Sequence, residues 1–72
     1  MKIIDPDGRE REVLYVKKTI GREWDVINEV EVVKPFVEVM IKGRLNNWKQ
    51  FYPLHEFLEN NHDEKILKMI NQ

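Results

Sequence analysis

The chain has no cysteine and no serine, and Thr19 is its only threonine. Without cysteine there is no disulfide staple and no thiolate zinc site, so disulfide-rich secreted scaffolds are excluded and a reducing, cytoplasmic setting is expected. Without serine or cysteine the common nucleophiles are missing, and Thr19 falls in an extended segment with no base beside it. The three glycines, Gly8, Gly21 and Gly43, match neither dinucleotide-loop nor P-loop spacing, which removes the usual phosphate cradle. No apolar run approaches the roughly 20 residues that span a bilayer, and the start Met1-Lys2-Ile3-Ile4-Asp5 lacks the apolar stretch of a signal peptide, so a soluble protein without a membrane partner is expected. A chain of 72 residues buries only about 60% of the surface that its unfolded form exposes, which leaves little room for a substrate cleft. The expectation is a non-enzyme with no catalytic residue, no cofactor and no small-molecule substrate.

What the chain does have is charge and β-forming residues. Charged side chains make up 35% of it at a net charge of −1, which argues against bulk attraction to polyanions, and the β-branched and aromatic content is too high for disorder. The densest stretch is residues 36–58. There Val37, Val39 and Ile41 alternate with Glu38, Met40 and Lys42, the period-two signature of a strand. Gly43 to Asn47 supply a loop of about five residues, and residues 48–52 resume as a strand with Phe51 on the core side. Pro53 ends that strand and suits a helix start, after which Leu54, Phe57 and Leu58 recur at helical spacing.

Upstream, the string Asp5-Pro6-Asp7-Gly8 reads as a tight turn after a short strand at residues 2–4. Residues 12–20 read as a second strand, Gly21 as a reversal, and residues 23–33 as a third strand with a bulge near Asn28, ended by Lys34-Pro35. Downstream, Asn60-Asn61 interrupts the helix, and Asn61 with Glu64 has capping-box spacing for a second helix striped by Ile66, Met69 and Ile70. The whole is expected to be one α+β domain. Residues 1–52 form an antiparallel β-meander of four to five strands, open or closed as a small SH3-like barrel, and residues 53–72 a C-terminal helix broken into two short pieces.

Three surfaces carry functional expectations. If Val37, Val39, Ile41 and Phe51 face the core, then Phe36, Met40, Trp48 and Tyr52 share the opposite face, an aromatic surface suited to a protein partner or to self-association. Each glycine precedes an arginine at an expected turn. In a meander with a turn at Gly21, Arg22 lies beside Arg44, Asn46 and Asn47, with Lys17, Lys18, Lys42 and Lys49 leading in; against Glu23 that end carries a formal +5. Such a basic end with nearby aromatics suits nucleic acid, the alternative reading. Finally, His55, Glu59 and His62 stand at i, i+4 and i+7, one face of an unbroken helix and a competent zinc set, though Asn60-Asn61 falls inside it. The acids Asp5, Asp7, Glu10 and Glu12 lack calcium-loop spacing and read as a turn and a solvated strand start.

Overall fold

The computed structural model describes residues 1–71; Gln72, the last residue of the expected helical segment, lies outside the described residues. Four strands, β1 (Lys2–Ile4), β2 (Glu10–Asp25), β3 (Val30–Ile41) and β4 (Trp48–Pro53), precede two helices, α1 (Leu54–Asn60) and α2 (Glu64–Ile70). The strands pair in sequence order, every pair antiparallel. The sheet curls into a half-barrel whose outer strands β1 and β4 do not meet. Its bend has a local cause. Val13 pairs with Ile41 and Tyr15 with Met40, so Leu14 is one residue too many, and such a bulge bends its strand and tightens the twist.

The two helices fill the hollow of this half-barrel. Val13, Val16, Val37, Val39 and Ile41 from the sheet meet Phe57 of α1 and Ile66 and Ile70 of α2, all of them buried. Between the helices Asn61 takes an extended conformation and is itself buried, so the expected break is real. The expected capping box is not: Asp63 is the cap of α2, its Oδ1 accepting the Lys65 amide at 2.8 Å, because the Asn61 amide group is engaged elsewhere. Its Oδ1 accepts the Ile4 amide and its Nδ2 donates to the Ile4 and Phe57 carbonyls, so one side chain does the work of a neighbouring strand for β1 and also closes the end of α1.

The expected turn at Asp5-Pro6-Asp7-Gly8 forms, with Gly8 at φ 85° and the Asp5 carboxylate accepting from the amides of Asp7 and Arg9 and from the Arg11 guanidinium. The expected reversal at Gly21 does not form, nor does a separate strand at 23–33 with a bulge at Asn28. β2 runs straight through Gly21 to Asp25, and the chain reverses at residues 26–29. Gly21 serves a close approach instead: a Cβ there would lie 2.5 Å from Cδ2 of Phe36, whose ring rests on the bare backbone. The true turn is organised by Asp25, whose carboxylate accepts the Ile27 and Asn28 amides and the Asn28 side-chain amide. Pro35, expected to end a strand, lies inside β3, at the point where β4 has stopped and β3 has become an edge.

A second correction follows from loop length. Ile41 pairs with Trp48, so six residues, not five, connect β3 to β4. A one-residue change of register turns every side chain of β4 to the other face. Tyr52 therefore pairs with Val37 and points into the core at 9% exposure, stacked on Phe57 with ring centres 6.3 Å apart, while Phe51 pairs with Glu38 on the outside at 50%.

Candidate protein-contact surface

β2 and β3 are much longer than the sheet that supports them. β4 reaches only to the pair Phe36 and Pro53, and β1 only to Glu12, so from Ile20 to Asp25 and from Val30 to Pro35 the molecule is a two-stranded arm. The arm stretches the molecule to 40 × 29 × 22 Å and its radius of gyration to 13.2 Å, against about 11 Å for a compact chain of this length.

Cross-strand partners share a face, so the register fixes what each side of the arm displays. The side continuous with the core face carries Ile20 with Pro35, Arg22 with Val33, and Trp24 with Glu31; the other carries Gly21 with Lys34, Glu23 with Val32, and Asp25 with Val30. One ion pair ties each side diagonally, Arg22 to Glu31 at 3.7 Å and Lys34 to Glu23 at 2.7 Å. Both are solvated and stabilise the ribbon only slightly. Trp24 is 63% exposed and Ile27, at the tip, 92%. Of the ten large apolar side chains exposed to solvent among the described residues, six (Ile20, Trp24, Val26, Ile27, Val30 and Val33) belong to this arm and its tip. A two-stranded ribbon is marginal in water on its own, and clustered apolar exposure marks a contact surface.

The aromatic face expected from sequence is divided. Phe36 and Met40 stand on the outer face, half-buried, whereas Trp48 and Tyr52 share the parity of the core. In their place the outer face brings together Tyr15, Lys17, Glu38, Lys49 and Phe51. The Tyr15 hydroxyl donates to Glu38 Oε2 at 2.6 Å. That bond holds the Glu38 carboxyl below its ordinary value against the opposing effect of burial, aided by the Lys49 and Lys17 charges, and raises the Tyr15 phenol. The pair is satisfied within the fold.

The basic end is also divided. Arg22 lies on the arm opposite Val33, nine positions beyond the Val13 and Ile41 pair that adjoins the 42–47 loop, which is about 30 Å of strand. Arg44, Asn46 and Asn47 are exposed in that loop, Lys42 lies at its root with its amide bonded to the Glu12 carbonyl, and Lys17 and Lys49 flank Glu38 on the outer face. Nothing joins the seven into one basic surface, because the turn that placed Arg22 beside Arg44 is a continuous strand.

His55 and Glu59 share α1, but the chain leaves the helix at Asn61, so His62 is not at their i+7 position; its Nε2 lies 2.9 Å from the Glu59 carbonyl oxygen. Among the described residues no three histidine or acidic side chains converge as a metal site. No helix is long and apolar enough to cross a membrane.

Sequence reasoning missed the arm. A signal was present: Asp25 three residues before Asn28 is an Asx-turn pattern, and pairing outward from that turn sets Lys17 opposite Glu38. Comparison with protein-family models, with curated proteins and with solved structures finds nothing that matches this chain.

Proposed function

We propose that this chain is a small non-enzymatic module that works by protein contact, and that the β2–β3 arm is its contact surface. The observation that carries the reading is the concentration of exposed apolar side chains on a ribbon that the rest of the fold does not support. Burying Trp24, Ile20 and Val33 against a partner removes the apolar surface that makes such a ribbon marginal, and aromatic anchors of this kind dominate protein interfaces.

The test is site-specific photo-crosslinking in the native cell. A photoreactive residue at Ile27 or Val33 is expected to give discrete adducts, whereas one at Glu59, on the exposed side of α1, gives none. Equal labelling at all three positions, or none at the arm, removes the reading.

A further inference from the structure

The edge of β2 bears on what the arm meets. One edge pairs with β3 along its length, but on the other β1 covers only Glu10 to Glu12, with one more bond from the Val13 amide to the Met1 carbonyl. From Leu14 to Asp25 that edge has no strand partner among the described residues. Unpaired strand edges are templates for a further strand. Against residues 15–18 of β2 opens a groove of about 560 Å³ that Glu38 of β3, Lys49 of β4 and Met69 of α2 also line.

The charge pattern of β2 identifies the strand that fits. Lys17 and Lys18 precede Gly21, and Glu23 and Asp25 follow it. An antiparallel copy of the same strand sets basic against acidic at both ends, while a parallel copy sets like against like. A two-fold axis normal to the sheet permits only registers centred on a residue, since partners must share a face. Centred on Ile20, the pairing opposes Lys18 to Arg22 twice; centred on Arg22, it opposes that arginine to itself. Centred on Gly21, it sets Lys17 against Asp25 and Lys18 against Trp24, a cation opposite an indole. Resting on the reading of the arm as the contact surface, we infer that the partner is a second copy of this chain, joined antiparallel through β2 about a two-fold axis at Gly21. Two marginal ribbons thereby become four central strands of one continuous sheet, and residues 17–25 of each β2 gain a strand partner.

Sedimentation velocity from about 10 µM to about 1 mM tests this on the wild-type chain and two charge variants. One variant carries Lys17→Glu with Lys18→Glu. The other carries Glu23→Lys with Asp25→Asn, which keeps an acceptor for the turn amides. The wild type is expected to form dimers, each variant alone to shift at least tenfold toward monomer, and an equimolar mixture to recover part of the dimer, since the Lys17 kept by the second variant then faces the Asp25 kept by the first. Circular dichroism confirms that both variants are folded; if either is not, mixing it with wild type cannot substitute, and the wild-type mass alone decides. A wild type that stays monomeric throughout overturns the inference, and so does a dimer that both folded variants keep undiminished. A monomeric wild type whose arm crosslinks a different protein overturns self-pairing and leaves the arm as the contact surface. A monomer with no arm crosslinks overturns both.

Discussion

Asn61 is the residue on which the two ends of the chain depend. It is 57 positions from Ile4 in sequence, yet its carboxamide accepts the Ile4 amide and donates to the Ile4 carbonyl while also donating to Phe57. Asn61→Ala leaves buried backbone groups without partners, and a destabilisation of about 2–3 kcal/mol is expected in urea denaturation. Asp5 acts similarly in the first turn. Burial raises its carboxyl, but the Arg9 amide, the Arg11 guanidinium and the Asp7 amide outweigh that and hold it below its ordinary value. A carboxyl depressed in the folded state contributes stability above its unfolded value of about 3.9, and that contribution is lost as pH falls through the lower folded value. Glu12, held down by the N-terminal ammonium, Asp25, by Asn28, and Glu38, by Tyr15, act in the same direction. Stability measured against pH is therefore expected to fall below about pH 4, less steeply in Asp5→Asn than in the wild type.

Among the elements, β3 and the helix break at Asn60-Asn61 were legible because the side-chain pattern there states the local conformation directly: Val37, Val39 and Ile41 alternate, and asparagines interrupt a helical stripe. The hairpin boundaries were not, because the residues that usually mark them have other uses here. Gly21 is present for the Phe36 ring, Pro35 is tolerated by an edge that exists only because β4 is short, and the turn itself is Val26-Ile27-Asn28-Glu29, apolar in its first half and with Glu29 at φ 51°. The face of β4 depended on whether its loop holds five residues or six, which composition does not encode. That register yields a sharp contrast between neighbours. Tyr52→Ala removes a buried ring stacked on Phe57 and is expected to cost about 3 kcal/mol or more, whereas Phe51→Ala, on the outer face, changes stability by roughly 0.5–1 kcal/mol. Denaturation of the two variants checks the register, since the opposite order would place Phe51 in the core.

The molecule as a whole divides into a body with a complete core and an arm without one. The helices hold the hollow of the half-barrel closed around Phe57, Val37 and Val39, which are inaccessible to solvent, while the arm from Ile20 to Pro35 has hydrogen bonds along one side of each strand and little apolar burial. Local opening free energy follows such burial, so backbone amides of the arm are expected to exchange with solvent far faster than those of residues 37–41 when the chain is dilute. Association stabilises only what it contacts, by an amount that grows with the logarithm of partner concentration. If two copies pair through β2, raising the protein concentration from about 10 µM to about 1 mM slows exchange at residues 19–25 of β2, whose free edge acquires partners, and leaves residues 37–41 unchanged. Added salt reverses part of that protection, because the Lys17 and Asp25 pairs are solvated and screened over about 10 Å at 0.1 M. Exchange at the arm that is independent of concentration, yet already as slow as that of the core, would show instead that the ribbon is stable alone, and the motive for burying Trp24 and Ile20 would disappear with it.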